Sequence, residues 1–307
     1  MEVIYSLLPE HIAWEIRQFI KTEHFHPQEI RLRIDRPIEL NKGRQVQWLS
    51  HLRISQKDAK YILNRISDHS IYRLEEELRQ GYITIKGGHR IGISGSVIVE
   101  NSAVKAIKHI SSFNIRISND VSGISKPFLP LLYDHHYLST LIIGPPQSGK
   151  TTLLRDIARY VSSGLHKIPA QKTAVVDERS EICASLNGIP QSESGLRIDV
   201  LDQCPKSEGM MMLVRSMSPE VIIVDEIGNE KDVQAILEVI NAGVSIMCSV
   251  HGRSYEEVLR RPALAPLFTL NLFNRILVLS NSNQVGEVIQ ILDSEGNNIT
   301  KQSEYTV

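Results

Sequence analysis

The sequence predicts an α/β protein in which a smaller α+β domain precedes a mostly parallel sheet covered by helices on both faces. From residue 139 onward, short apolar runs such as "TLIIG" and "VIIVDE" alternate with segments of helical spacing, which is typical of parallel sheets. Between the two regions, "NDVSGISKPFLPLLYDHH" is rich in turn residues. We therefore expect a small domain at residues 1–118, a linker at 119–138 and the parallel-sheet domain at 139–307.

The small domain is predicted to begin with an amphipathic helical segment that covers about the first 30 residues. The stretch "EIRLRIDRPIEL" follows and alternates strongly between apolar and charged residues. Ile30, Leu32 and Ile34 fall on one face of an extended chain, and the charged residues between them fall on the other. This alternation predicts one half-buried strand.

A helix and three further strands complete the predicted small domain. The helix should begin after a Ser55 cap and end at Gly81, because both residue types are common at those positions. "YITIKGGHRIGISGSVIVE" predicts two strands around a turn at Gly87 and Gly88. "VKAIKHISSFNIRIS" predicts one more strand.

The larger domain contains five predicted strands separated by helical segments. They are "TLIIG", "TAVVDE", "VIIVDE", "GVSIMCSV" and "RILVLS". The last of them is expected to pair with "EVIQILD" as an antiparallel hairpin followed by a loose tail. Alternating strands and helices of this kind predict a sheet with helices on both faces.

The loop between the first of these strands and its helix has the spacing of a phosphate-binding P-loop, G-x-x-x-x-G-K-[ST]. Gly144 and Gly149 permit a close backbone approach to phosphate oxygens. The helix that begins near Lys150 adds the positive end of its dipole, and Lys150 itself would reach the β- and γ-phosphates. The Thr151 hydroxyl would complete a Mg²⁺ shell. The predicted nucleotide-binding residues are Gly144, Pro145, Pro146, Gln147, Ser148, Gly149, Lys150, Thr151 and Thr152.

Acidic residues follow two of the other predicted strands. Asp225 and Glu226 come directly after "VIIV", at the sheet edge where the P-loop also lies. Asp225 suits Mg²⁺ binding and Glu226 suits polarising the attacking water. In "AVVDERSEI", Asp177, Glu178 and Glu181 form a second cluster, which fits equally a salt-bridged loop and carboxylates beside the metal.

One histidine ends a third strand of the same predicted edge. His251 follows "SIMCSV", a mostly apolar run. A histidine in this position fits two roles equally well, that of a structural residue with satisfied hydrogen bonds and that of a sensor of the γ-phosphate. We therefore expect His251 beside the P-loop and leave both roles open at this point.

The order of these motifs resembles the secretion ATPases, the ring-forming motors of type II secretion, type IV pili and type IV secretion. "GPPQSGKTT" looks like their P-loop, "VVDERSEI" like their aspartate box, "LVRSMSPEVIIVDEIGNE" like their Walker B region and "GVSIMCSVHGRS" like their histidine box. Arg215 matches an arginine of that family. Two positions depart from the family pattern, since Asp225 replaces the usual glycine and the aspartate box reads Asp177-Glu178.

This resemblance implies a RecA-like P-loop NTPase core that hydrolyses ATP with Mg²⁺ in a homo-oligomeric, hexameric ring. It makes Glu226, Lys150, Glu178, Glu181 and His251 the candidate catalytic residues. "LRIDVLDQCPKSEG" narrows the resemblance to a branch found in endospore formers. That branch implies a mother-cell motor that acts on membrane-embedded subunits of a sporulation channel complex. Arg90 and Arg116 of the small domain are, by the same resemblance, candidates for arginines delivered to a neighbouring subunit's nucleotide.

Composition bears on compartment and on partners. The formal net charge of −1 and the 6% content of aromatic residues give no indication of a nucleic-acid surface. Cys183, Cys204 and Cys248 lack the spacing of a zinc site, and we expect reduced, semi-buried thiols. The N-terminal stretch does not read as a signal peptide, and no apolar run has the length of a membrane span. We therefore expect a cytoplasmic protein, peripherally associated with a membrane complex.

Two other functional classes remain open from the sequence. A nucleic-acid-dependent ATPase is the main alternative, because related chloroplast and bacterial proteins couple this core to a nucleic-acid-binding module. Salt-sensitive stimulation by single-stranded DNA would favour that function. A small-molecule kinase is the second alternative, although the sequence contains no obvious substrate lid. A phosphorylated acceptor would identify it.

Overall fold

A computed structural model of the chain describes residues 1–43, 45–67, 82–100, 103–118, 121–191, 194–280 and 285–300. The chain divides into two compact units, Met1–Asn119 and Asp120–Val307. Each unit contains its own β-sheet and its own apolar core. Within the described residues, no helix combines the length and the apolar character that crossing a bilayer requires.

The first unit is an antiparallel sheet with helices packed on one face. The strand order is β3-β2-β1-β6-β5-β4, and every neighbouring pair is antiparallel. Its described elements, in chain order, are α1 (Glu2–Leu7), α2 (Glu10–Glu23), β1 (Glu29–Arg33), β2 (Pro37–Lys42), β3 (Gln45–Arg53), α3 (Gln56–Ile66), β4 (Tyr82–Ile85), β5 (His89–Glu100) and β6 (Ala103–Arg116).

The alternation predicted for "EIRLR" is confirmed, because Ile30 and Leu32 of β1 are fully buried. The prediction of one strand through "EIRLRIDRPIEL" is wrong. The chain reverses at Asp35, whose φ of 59° is left-handed, and returns as β2 beginning at Pro37. Aspartate tolerates this conformation, since its short polar side chain can bond locally. The two halves of the stretch are therefore antiparallel neighbours in one sheet.

The other predicted elements of the first unit are largely confirmed. The N-terminal helical segment is present as α1 and α2, with a break where extended Leu8 precedes Pro9. The Ser55 side chain caps α3 through a capping box with Asp58. The predicted continuation of that helix to residue 81 lies outside the described residues. The glycine turn between β4 and β5 is present, with φ of 86° at Gly87.

The second unit contains the parallel sheet. Its described elements, in chain order, are a short 3-10 turn (Leu129–Leu132), β7 (Tyr133–Asp134), β8 (His136–Tyr137), β9 (Thr140–Gly144), α4 (Lys150–Ser163), β10 (Thr173–Asp177), β11 (Ile198–Asp202), α5 (Lys206–Met217), β12 (Val221–Val224), α6 (Glu230–Asn241), β13 (Ser245–His251), α7 (Tyr255–Leu259), α8 (Ala265–Thr269), β14 (Arg275–Leu279) and β15 (Val288–Asp293). The seven strands of the sheet lie in the order β11-β10-β12-β13-β9-β14-β15.

The first six strands in this order, from β11 through β10, β12, β13 and β9 to β14, are all parallel to one another. The last strand, β15, is antiparallel to β14. Both the parallel sheet and the C-terminal hairpin were predicted and are confirmed. Leu153 and Ile157 of α4 are buried in the core on one face, and Met210 of α5 and Ile236 of α6 in the core on the other. Helices therefore cover both faces, as the apolar strands require.

The predicted linker is 119–138, and its described part, residues 121–138, packs on the core of the second unit. Leu129, Leu132 and Tyr137 are fully buried there. The segment is also fixed at Ser125, whose amide and hydroxyl both donate to the buried carboxylate of Asp156 on α4. The run "PFLPLL" thus supplies core side chains although its prolines interrupt regular structure.

Candidate nucleotide-binding site

The loop between β9 and α4 has no room for a side chain at either of its two glycines. A Cβ on Gly144 would lie 2.4 Å from Ser148 Oγ, and one on Gly149 would lie 2.5 Å from the amide nitrogen of Gly286. Gly149 also has a φ of 93°, which L side chains rarely adopt. The helix begins at Lys150, so its first amides and its dipole are directed toward the loop.

Lys150 is buried at the start of α4, with 5% of its surface exposed. Its ammonium donates to the carbonyls of Gly144 at 2.9 Å and Pro145 at 3.0 Å, and lies 3.0 Å from His251 Nδ1. Burial lowers the pKa of Lys150, and the nearby carboxylates of the strand ends partly offset that effect. An anion at this position would stabilise the charged amine further.

Two hydroxyls bind the Asp225 carboxylate from neighbouring elements. Thr151 Oγ1 donates to Asp225 Oδ2 at 2.6 Å, and Ser249 Oγ of β13 donates to Asp225 Oδ1. Hydroxyl and carboxylate oxygens are ligands that Mg²⁺ prefers. Ser148 Oγ, in the same loop, is buried and has no hydrogen-bond partner among the described residues. The residues present therefore fit a bound nucleotide and its magnesium ion.

Glu226 is held by contacts to both its backbone and its side chain. Its φ of 50° is left-handed, and its amide donates to Ser249 Oγ at 3.0 Å. One carboxylate oxygen lies 2.8 Å from His251 Nε2, and the other lies 2.6 Å from Arg179 Nη1. Because the Lys150 ammonium donates to Nδ1, we assign the imidazole proton to Nε2, from which it donates to Glu226.

The carboxylates after β10 have different surroundings. Asp177 is buried and accepts the amides of Glu181 at 2.7 Å and Cys183 at 2.8 Å, so it fixes the turn that follows the strand. Burial raises the pKa of Asp177 and these backbone amides partly offset it. Glu178 lies 2.5 Å from Lys206 Nζ. Together with Asp225 and Glu226, these acidic side chains line one cleft that also contains Arg179 and Lys206.

The structure brings Lys150, Thr151, Asp225, Glu226 and His251 into one connected network at the carboxyl ends of three strands. Glu178 and Glu181 lie at the neighbouring strand end, on the cleft. Pro145 contributes its carbonyl. The remaining predicted loop residues, Pro146, Gln147 and Thr152, lie within or directly after the loop, and Gln147 has a left-handed φ of 65°.

Two residues of this network were not predicted from the sequence. Ser249 is fully buried in a mostly apolar strand, and a buried hydroxyl there requires a partner. That requirement is the signal by which it could have been found. Arg179 lies within the acidic turn "DERSE", where an arginine indicates an ion pair but not which carboxylate it contacts.

The two arginines predicted to act on a neighbouring subunit lie opposite each other on β5 and β6 of the first unit. Their core-side neighbours are buried, so both lie on the face of the sheet away from the helices. The Arg90 guanidinium lies 5.0 Å from the centroid of the Tyr82 ring. Arg116 Nε lies 3.7 Å from Glu29 Oε1, and 61% of the Arg116 side chain is exposed.

The sulfur groups and one family arginine lie apart from this network. None of the three cysteines forms a disulfide, which agrees with the expected reduced state, but Cys183 and Cys248 are fully buried and only Cys204 is partly exposed. Burial raises the pKa of Cys183 and Cys248, so neither is a reactive thiol. Arg215 is exposed in the last turn of α5.

Replacing Ser249 with alanine is expected to lower the free energy of unfolding by about 1–3 kcal/mol, because it leaves two partly buried polar atoms without this partner. The atoms concerned are Asp225 Oδ1 and the amide of Glu226. Urea unfolding measures the change. Ser216→Ala is the matched control, since that hydroxyl is exposed and bonds only within its own helix; its effect should stay below about 0.5 kcal/mol. Equal losses would contradict the role assigned to Ser249.

Comparison with known proteins gives three findings. A sequence profile described as sporulation stage III, protein AA matches residues 2–299. The stage III sporulation protein AA of Bacillus subtilis (strain 168) is 50% identical over 301 residues, which covers 98% of each chain. A crystal structure of the ATPase DotB from Yersinia pseudotuberculosis is similar with a TM-score of 0.65 and 15% identity, covering 97% of this chain and 82% of DotB.

The pilus retraction motor PilT, solved with bound ADP, has a TM-score of 0.61 and 14% identity, covering 89% of this chain and 80% of PilT. At such low identity these two likenesses concern the fold. They confirm the predicted class, a RecA-like α/β core preceded by a smaller domain that is rich in β-strands.

Proposed function

Since the chain belongs to the sporulation stage III protein AA family, we propose that it is the ATPase of a ring-forming motor that serves a membrane complex during endospore formation. One observation carries the ATPase proposal. The P-loop lysine, a threonine–aspartate pair and a glutamate held by a histidine meet at one edge of a parallel sheet. These are the groups that phosphoryl transfer to water requires.

The loop residues 144–152 would hold the phosphates of ATP. Gly144 and Gly149 allow the close packing of the loop that a side chain would prevent, and the first amides of α4 are oriented for anions. Lys150 now donates to two loop carbonyls, and in this proposal its ammonium exchanges them for phosphate oxygens. The gain in charge pairing favours that exchange, since a buried ammonium is stabilised more by an anion than by a neutral carbonyl.

The hydroxyl of Thr151 and the carboxylate of Asp225 would hold Mg²⁺, directly or through water. When bound, the ion neutralises charge that develops on the phosphates. Glu226 accepts a hydrogen bond from the attacking water and orients it. His251 contacts both Lys150 and Glu226, so a change in the hydrogen bonds of Lys150 would change the position of the Glu226 carboxylate.

Glu178 and Glu181 are assigned a supporting role in this proposal. Both lie after β10, on the cleft that contains Glu226. The Lys206 ammonium balances the charge of Glu178, and the Glu181 carbonyl accepts from Arg155 of α4 at 2.5 Å. They would add negative charge near the metal and hold the turn against α4, with Glu226 as the principal catalytic carboxylate.

The assembly and the location are part of the same proposal. We infer a homohexameric ring on the cytoplasmic, mother-cell side of the membrane, attached to membrane-embedded subunits of a sporulation channel. Support comes from the family and from the fold shared with PilT, which is described as a motor. In that ring, Arg90 and Arg116 would approach the nucleotide of a neighbouring subunit.

Phosphate release from ATP tests the function directly. The purified chain should hydrolyse ATP only with Mg²⁺, and chelation should stop the reaction. Native mass spectrometry with and without ATP and Mg²⁺ should reveal the ring. Hydrolysis that requires single-stranded DNA and declines steeply with salt would instead identify a nucleic-acid-dependent ATPase.

Mixing two inactive variants tests whether Arg116 acts across a subunit boundary. Lys150→Ala and Arg116→Ala proteins should each be inactive, and the mixture should regain part of the activity. A mixed interface can combine an intact P-loop from one subunit with an intact arginine from the other. Arg53→Ala, which removes an exposed arginine from the same sheet, is the control and should stay active alone. No recovery in rings shown to be mixed would exclude the role for Arg116.

A further inference from the structure

An arginine at the end of one strand contacts the carboxylate at the end of the next strand in the sheet. Arg179 follows β10 and Glu226 follows β12, and these strands are parallel neighbours. Arg179 Nη1 donates to Glu226 Oε2 at 2.6 Å. The arginine side chain is 61% exposed and the glutamate side chain 21% exposed. The guanidinium therefore lies on the outer side of a mostly buried carboxylate.

The backbone of Glu226 is fixed independently of this contact. Its amide donates to Ser249 Oγ, and the amide of Ile227 donates to the Ser249 carbonyl at 2.9 Å. A left-handed φ of 50° is unfavourable for a residue with a side chain, so surrounding bonds must impose it. These bonds from β13 hold the backbone in place, but they leave the torsions of the long glutamate side chain free.

Two side chains set those torsions, and they differ in what else they contact. His251 bonds one carboxylate oxygen and is itself bonded to Lys150. When the Lys150 ammonium moves to bind phosphate, as the proposed function requires, His251 loses its hydrogen bond with Lys150. Arg179 follows β10. In the sheet, β12 and β13 lie between β10 and β9, the strand that leads into the P-loop. The hold of Arg179 on the carboxylate therefore does not depend on the lysine.

We propose that Arg179 is a positioning residue that keeps the Glu226 carboxylate oriented toward water while the P-loop changes partners. This inference rests on the proposed ATPase function and assigns to that site a residue beyond those predicted from the motifs. Arg179 acts through Glu226 and not on the nucleotide. Each carboxylate oxygen has a second lone pair beyond its contact with His251 or Arg179, and that lone pair can accept a hydrogen bond from water.

Steady-state kinetics provide the first test. Arg179→Ala should lower kcat about tenfold, the loss typical of a group that orients a reactive one, with KM for ATP changed less than twofold. Arg179→Lys keeps the charge and should recover part of kcat. Arg261→Ala removes another surface arginine–glutamate pair, in which Arg261 lies 2.7 Å from Glu257 of α7, and should leave kcat unchanged. A wild-type kcat in Arg179→Ala would overturn the inference.

A double variant distinguishes action through Glu226 from direct action on phosphate. In single-turnover assays, Arg179→Ala combined with Glu226→Gln should be no slower than Glu226→Gln alone, within twofold. Residues that act as a unit lose their effects together, whereas independent effects multiply. A further tenfold loss in the double variant would assign Arg179 to the nucleotide and overturn the positioning role.

The Glu226 side chain provides a readout without nucleotide. In NMR spectra of protein with isotope-labelled glutamate, the carboxyl signal that Glu226→Gln removes should shift in Arg179→Ala, because the guanidinium contact is lost, and should stay in place in Arg261→Ala. An unshifted Glu226 signal in Arg179→Ala would overturn the inference. The outcomes also separate the two proposals. A wild-type protein that cannot hydrolyse ATP overturns the function and this inference with it, whereas active wild-type and equally active Arg179→Ala protein overturn the inference alone.

Discussion

Replacing Lys150 with alanine is expected to reduce ATP hydrolysis by about 100-fold or more while the fold is retained. The ammonium lies on the loop that would hold the phosphates, at hydrogen-bond distance from two of its carbonyls. Lys150 is the cationic residue within the loop sequence "GPPQSGKT". Without it, charge that develops on the transferred phosphoryl group loses a positioned partner.

The fold should tolerate this change. Burial lowers the pKa of Lys150, which means that burying the charged amine opposes folding, and alanine removes that charge. Circular dichroism and urea unfolding check that point. Lys231→Ala, which removes an exposed lysine near the start of α6, is the control and should hydrolyse ATP like the wild type. Near-wild-type turnover by the Lys150→Ala protein would contradict the P-loop assignment.

Strands with a strong apolar pattern, either alternating or continuous, could be predicted from the sequence, and strands with a weak pattern could not. β9 and β12 are continuous apolar runs that are fully buried, and both were predicted. β3 was missed because it lies at the edge of its sheet and only Leu49 among its nine residues is buried. β11 was missed for a similar reason, since it is an edge strand of half-buried residues. At an edge, neighbours on one side are absent and the apolar pattern weakens.

The chain reversal at Asp35 illustrates a second limit. The apolar alternation continues across it, because each of the two strands presents its own apolar residues to the same core. Alternation reports which side chains are buried and not where a hairpin turns. The Asp-Arg-Pro sequence at the turn was the available signal.

At the site, the motif residues could be assigned and their pairings could not. The P-loop spacing predicted Lys150 and Thr151 as candidate site residues, since that spacing carries a physical mechanism. The contact of Arg179 with Glu226 depends on β10 and β12 being neighbours, which is a property of the sheet order. The contact of Ser249 with Asp225 depends in the same way on β13 lying beside β12.

Replacing Glu226 with glutamine is expected to separate nucleotide binding from hydrolysis. Glutamine keeps the size and most of the hydrogen bonding of the glutamate but cannot act as a base or hold water with a full negative charge. Hydrolysis should fall by about 100-fold or more, within the range for a lost acid–base group. The dissociation constant for ATP should change little, because the phosphate-binding loop is untouched.

Two measurements on the Glu226→Gln protein follow from that separation. Binding of a fluorescent ATP analogue should match the wild type, and native mass spectrometry with ATP and Mg²⁺ should detect a ring that persists because the nucleotide is not consumed. Glu230→Gln, an exposed change at the start of α6, is the matched control and should hydrolyse normally. Normal hydrolysis by Glu226→Gln would instead place the base after β10. Glu178 and Glu181 would then be the first residues to replace, since both line the same cleft as Glu226.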